Sequence, residues 1–257
     1  QRDIQDYDAA LKTANYLINA SIKYYGINHP KTGFAYIARA RYYTDIMIPD
    51  LAKKDLDKAY EIYNQNKNDS DLKNNLLTSY MNYYETIEQP YQKMKYLEEL
   101  ISSGVSQEFK TKELGKVYSK MKNVKKAEEY YTQYFEIIKD QQNNKESLFK
   151  YHVLLAEMYQ ETKNLDAYNT EINKAEEILS NIGDRKNELE ILLNNVKIQY
   201  FIDMKQFNCA LSTLERNEEL ISKYGKEYQK KNIIQYYIDY FREQKDIKKF
   251  NKFLITE

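Results

Sequence analysis

Leu114-Gly115-Lys116-Val117-Tyr118-Ser119-Lys120-Met121-Lys122-Asn123-Val124-Lys125-Lys126-Ala127 is the stretch whose reading decides the fold. Apolar residues at Leu114, Val117, Tyr118 and Met121 recur at steps of three and four, the spacing of one helix face. The polar pair Lys122-Asn123 interrupts the run, and Ala127 then falls on the packing face of a following helix. The arrangement returns twice downstream. Leu155-Ala156 leads to Tyr159, the break Lys163-Asn164, and then Tyr168, Ile172 and Ala175; Ile198 leads to Phe201, Lys205-Gln206, and then Phe207, Ala210 and Leu214. In each case an aromatic stands nine positions before a residue of the next packing face, and successive units are 41 or 42 residues apart. A fixed period is the signature of a repeat architecture.

Composition agrees. With 42% hydrophobic and 30% charged residues the chain has enough apolar surface to fold, while 6 Gly and 3 Pro are too few for the many tight turns of an all-β domain. Lys+Arg (39) balance Asp+Glu (39), so no net field draws the chain to nucleic acid or to an anionic membrane surface. No uncharged apolar run is long enough to span a bilayer, so direct membrane insertion is not expected. The single Cys209 forms no internal disulfide, which fits a reduced cytosol, the compartment favoured, and also a periplasm. The chain opens on Gln1 rather than Met, read as a processed form or a fragment.

The breaks have chemical reasons. Asn123, Asn164 and Asp246 are expected to cap the second helix of their units, and Pro49 and Pro90 to open one. Gly26, Gly104, Gly183 and Gly225 suit the left-handed residue after a helix, and 64–70 and 140–144 read as polar connectors.

The residues Leu114, Gly115, Tyr118 and Ala127 resemble the tetratricopeptide repeat signature. The opening Tyr24-Tyr25-Gly26-Ile27-Asn28-His29-Pro30-Lys31-Thr32 looks like the linker of its longer, kinesin-light-chain-like version, whose period near forty residues also agrees. The resemblance implies an all-α fold: a right-handed superhelical α-solenoid of antiparallel helix pairs. It places one domain over 1–257, with a leading helix at 6–25 and repeats at 31–68, 71–104, 107–143, 145–183, 185–225 and 227–257. It further implies a non-catalytic scaffold or adaptor that binds protein or peptide in a groove lined by first helices. Carried over, the groove positions are Phe34, Ile37 and Arg41; Leu77, Met81 and Tyr84; Lys112, Lys116 and Lys120; Glu157, Gln160 and Glu161; Asn195, Gln199 and Asp203; and Gln235, Asp239 and Arg242. Such a groove runs from apolar-aromatic through basic to acidic and amide-rich. The family's two-carboxylate clamp for chaperone tails is not reproduced, because Leu154, Leu192 and Val196 occupy its polar positions.

Catalytic and metal chemistry finds no foothold in the sequence. His29 lies in a linker and His152 at a packing position, so neither is read as a metal ligand. Cys209 lacks a sequence-adjacent His, and acidic pairs such as Glu128-Glu129 are interleaved with Lys as on a solvated face. No cofactor is expected. A competing reading makes the chain the sensor or regulatory segment of a larger bacterial signalling protein or of an enzyme. The leading helix, and Ile247, Phe250, Phe253 and Leu254 at the far end, predict weak self-association.

Overall fold

The computed structural model describes residues 2–142, 144–183, 185–225 and 227–245; the expected cap Asp246 and the apolar residues from Ile247 onward lie outside them. The described residues hold twelve α-helices and no strand. They divide into two compact units, Gln1–Asn123 and Val124–Glu257. The first unit contains α1 (Arg2–Tyr25), α2 (Pro30–Asp45), α3 (Pro49–Gln65), α4 (Ser70–Thr86), α5 (Pro90–Ser102) and α6 (Gln107–Lys120). The second contains α7 (Val124–Ile138), α8 (Lys145–Glu161), α9 (Leu165–Ser180), α10 (Lys186–Asp203), α11 (Phe207–Tyr224) and α12 (Glu227–Glu243).

Within each unit every helix packs on the next, and first helices also meet across pairs, α2 on α4, α8 on α10 and α10 on α12. This is the packing order of an α-solenoid. The cores follow the same order. Ile37, Ala40, Ala52, Leu56, Ala59, Leu72, Leu76 and Tyr80 form one continuous cluster across α2 to α4. In the second unit Phe149, Val153, Ala156, Tyr168, Ile172 and Leu193 fill the space among α8, α9 and α10. A third cluster joins Ile198, Ala210, Leu214, Ile233 and Tyr237 among α10, α11 and α12. Gly33 permits the close approach of α2 to α4, since a Cβ there would lie 2.9 Å from Leu72 Cδ1.

The turn after each first helix is nearly the same object six times. A residue with positive φ stands at Met47, Glu88, Lys122, Lys163, Lys205 and Lys245. In the first five turns the next backbone N–H reaches back to an aromatic carbonyl: Ile48 to Tyr43, Gln89 to Tyr84, Asn123 to Tyr118, Asn164 to Tyr159 and Gln206 to Phe201, at 2.8–2.9 Å. This long reverse bond is the Schellman closure of a helix C-terminus. The second helix then opens on Pro49 or Pro90, or under the Asn164 side chain, which accepts from Ala167 N at 3.3 Å. Lysine occupies four of the six left-handed sites, where its charge also suits the negative end of the helix dipole.

The glycine expectation is half corrected. Gly26 and Gly104 are left-handed, at φ 93° and 88°, but Gly225 is extended at φ −79° and Gly183 is not among the positive-φ residues. A non-glycine residue in this conformation costs about 1 kcal/mol. Lys163→Gly is therefore expected to raise stability by about 0.5 kcal/mol, and Lys163→Val to lower it by about 1–2 kcal/mol, because a β-branched residue fits the left-handed region worst. Urea denaturation of the three forms checks the order; a valine form as stable as the lysine form would contradict it.

Candidate functional site

Counting back from the left-handed residue gives every first helix a common register. Six positions before it stand Arg41, Asn82, Lys116, Glu157, Gln199 and Asp239; ten before it stand Ile37, Thr78, Lys112, Val153, Asn195 and Gln235. The first row is polar throughout, and each of its members is exposed or half-buried. That row lies on first-helix surface that neighbouring helices leave open, whereas in the second row Ile37 and Val153 are buried.

Several expected groove residues lie on that strip. Arg41 is exposed, and its Nε donates to Ser79 Oγ at 2.8 Å and its Nη2 to Asn75 Oδ1 at 3.1 Å, tying α2 to α4. Gln160 Nε2 donates to Asp203 Oδ2 at 2.7 Å while Gln199 Nε2 donates to Asp203 Oδ1 at 2.9 Å, tying α8 to α10. Asn195 is half-buried and accepts from Asn217 Nδ2 at 2.8 Å. On α12 Gln235 and Arg242 both reach Asp239 Oδ1, at 3.1 and 2.8 Å. Burial raises the Asp239 carboxyl above its ordinary value, and the Asp203 carboxylate adds to the effect. Glu157 and Glu161 are half-buried on α8, and the Glu157 charge, after burial itself, helps push the Tyr236 hydroxyl up to about 12. Polar groups on these helices thus form ladders from one first helix to the next.

Three other expected residues do not reach the surface. Ile37 belongs to the core cluster of the first unit, and Leu77 and Met81 are buried. Phe34 is half-buried against that same core, and Tyr84 stacks on Tyr80 and Tyr96 with centroids 6.3 and 5.4 Å away. The apolar-aromatic end expected for the groove is therefore corrected: these side chains hold the helices together. The open positions of α4 are Asn75, Thr78 and Asn82 instead. A signal for them was present, since Pro49 and Pro90 open equivalent helices 41 residues apart, and 41 positions beyond Arg41 is Asn82.

The basic step is also redrawn. Lys112 and Lys116 are half-buried and Lys120 is exposed, but Lys116 belongs to a four-residue charge cluster. Lys93 Nζ lies 3.0 Å from Glu113 Oε2 and 3.1 Å from Glu85 Oε1, and Lys116 Nζ lies 3.5 Å from Glu113 and 3.8 Å from Glu85. Lys93 is 3% exposed and Glu113 is buried. Burial pushes the Glu113 carboxyl up, but Lys116, Lys93 and Lys112 outweigh it and hold the group below the usual carboxylate range. A second cluster has the same logic in α8 and α9: buried Glu171 is 2.5 Å from His152 Nδ1 and 2.8 Å from Lys174 Nζ. Burial again opposes ionisation, and the hydrogen bonds from His152 and Lys174 prevail, so Glu171 is held low. His152 is thus a partner of a buried carboxylate. Among the described residues no three His, Cys, Asp or Glu side chains gather as metal ligands would, and no helix is long and apolar enough to cross a membrane.

The fold is that of an all-α protein of solenoid organisation whose first helices carry a row of polar, partly open positions. No family model and no curated protein sequence matches the chain.

Proposed function

We propose that this chain is a non-catalytic scaffold or adaptor that binds protein or peptide segments on the open faces of its first helices, as its resemblance to tetratricopeptide repeats implies. The observation that supports the reading most is the laddering of these faces. Arg41 with Ser79 and Asn75 in one unit, and Gln160 and Gln199 with Asp203 in the other, are side chains already fixed by neighbours. Fixed amides and charges lose little further freedom on binding, and they match the donors and acceptors of an extended main chain. The two faces differ in chemistry. That of the first unit offers Arg41, Thr78, Asn82 and Lys112, and that of the second offers Glu157, Asn195, Gln199 and Asp203. Acidic or neutral segments suit the first and basic or amide-rich segments the second.

The test is selection from a displayed random-peptide library on the full chain. Asn82→Ala or Gln199→Ala should weaken the selected peptides by about tenfold or more, the cost of a lost buried hydrogen bond of about 1.5 kcal/mol. Lys54→Glu, on the exposed side of α3, should leave their binding unchanged. Peptides that tolerate both face substitutions but fail against the α3 variant would overturn the reading.

A further inference from the structure

Asn217 breaks the repeat at a place where the preceding units are apolar or aromatic. It stands twelve positions after the left-handed Lys205, on α11, and the corresponding residues upstream are Ala59, Leu100, Tyr134 and Ala175, all buried. Asn217 itself is 0% exposed, and its Oδ1 has no hydrogen-bond partner among the described residues. Asn194 on α10 is likewise buried, with its Nδ2 unpaired. A buried amide with an unpaired atom destabilises a fold, so its presence between α10 and α11 calls for a cause other than packing.

The bond that the Asn217 side chain does make leads outward. Its Nδ2 donates at 2.8 Å to Oδ1 of Asn195, a half-buried residue of the α10 face described above. Turning the Asn217 amide over would put its nitrogen, with two hydrogens, at the unpaired end, and a buried N–H without an acceptor is the rarer fault. Asn195 is therefore held with its oxygen toward α11, and its Nδ2 remains as a donor for the open face. One turn along, Gln199 has the opposite polarity. Its Nε2 and that of Gln160 donate to the two oxygens of Asp203, which as a carboxylate only accepts, so each glutamine keeps Oε1 as the group it can offer. A donor at Asn195 and acceptors at Gln199 and Gln160 are thus each fixed by a neighbour.

We propose that Asn217 is a positioning residue of this face, which makes Asn195 a directed hydrogen-bond donor to a neutral carbonyl oxygen of the bound segment. The proposal rests on the reading that the face binds a protein or peptide segment. The acceptor is neutral because Glu157 and Asp203 share the face and repel a carboxylate. Main-chain and amide side-chain carbonyls share this chemistry. Asn195 and Gln199 are four apart on one helix face, so a segment that gives a C=O to the first can give an N–H to the second. An amide left to rotate would offer either atom and discriminate neither; Asn217 removes that freedom before binding.

The test uses the full chain and the peptides that a random library yields on it, taking those that Gln199→Ala weakens as ligands of this face. Asn195→Asp keeps an acceptor for Asn217 and replaces the outward N–H by an oxygen, so it should weaken these peptides by about tenfold or more. Asn217→Ala, which restores the residue of Ala59 and Ala175, should weaken them as well. Its urea midpoint should nevertheless stay the same or rise, because the unpaired buried oxygen goes with the side chain. The Asn195 side-chain amide should lose order in Asn217→Ala, read as a fall in its heteronuclear NOE. Alanine scanning of the peptide then tells the two sources of carbonyl apart, since a side-chain acceptor is lost in one variant and a main-chain acceptor in none. Peptides that need Gln199 but are indifferent to both asparagine variants overturn the proposal and leave the reading of the face intact. So does a lowered urea midpoint in Asn217→Ala with the Asn195 amide as ordered as before, which makes Asn217 a structural residue alone. If no selected peptide needs Gln199, the reading of the face fails and the proposal falls with it.

Discussion

Lys93→Ala is expected to destabilise the first unit by about 3–5 kcal/mol, although alanine stands at that place in three other units. Lys93 stands five positions after the left-handed Glu88, where other units have Ala52, Ala127 and Ala210, all fully buried. A reading from the repeat pattern alone makes the substitution neutral or stabilising. The charge cluster reverses the sign. Removing Lys93 takes away the 3.0 Å partner of Glu113 and leaves a buried carboxylate with the more distant Lys116 at 3.5 Å and the charge of Lys112. Replacing both members, Lys93→Met with Glu113→Leu, should return stability to within about 1–2 kcal/mol of the original, because an apolar pair of similar volume needs no solvation. Urea denaturation read by helicity measures all three, and a double variant no better than Lys93→Ala would show that charge is not the cause. Acid gives a second reading. The Glu113 carboxyl is held below its usual range, so its contribution is complete above the unfolded value of about 4.3 and is lost as pH falls through the lower folded value. The acid-induced loss should therefore be smaller in the double variant than in the original chain.

What sequence reveals here divides by the distance over which the cause acts. The all-α class and the pairing of helices were legible because they follow from local periodicity and scarce turn residues: Leu114, Val117, Tyr118 and Met121 announce a helix face without any knowledge of neighbours. The face left open by packing was legible where a polar break fixed the register, as at Asn195 and Gln199, upstream of Lys205. In the first two repeats the carried positions included Ile37, Leu77 and Met81, which the structure buries. There the turns close on Met47-Ile48 and Glu88-Gln89, without the lysine that marks the other units. The left-handed turns themselves were hidden, because glycine is the residue that ordinarily signals positive φ and none of the six carries one. The buried clusters at Lys93 and His152 were hidden for a different reason. Their partners Glu113 and Glu171 lie 20 and 19 residues away, and a lysine or glutamate on a helix reads as solvated until its neighbours are known.

The same repeat position predicts the second large effect, through packing instead of charge. Tyr168 stands five positions after the left-handed Lys163, in the place of Ala52 and Ala210, and it is buried with its ring stacked on that of Tyr200 at a centroid distance of 4.0 Å. Tyr168→Ala is expected to cost about 3–5 kcal/mol, the price of losing a buried aromatic and leaving a cavity that the neighbours fill only in part. Tyr168→Phe keeps the ring and should stay within about 1 kcal/mol of the original. Chemical denaturation gives the two values, and near-ultraviolet circular dichroism reports whether Tyr200 keeps an ordered surrounding. If the alanine form is as stable as the phenylalanine form, then α9 and α10 close together when the ring is removed and this junction is plastic. If the loss appears, the void should be bounded by the apolar neighbours Ile172 and Val196 and one face of Tyr200, which belong to the same core cluster. A dry apolar cavity takes up small aromatic molecules. Added phenol should then raise the thermal midpoint of Tyr168→Ala and leave that of the original chain where it was, which separates a cavity held open by stiff helices from a general loss of structure.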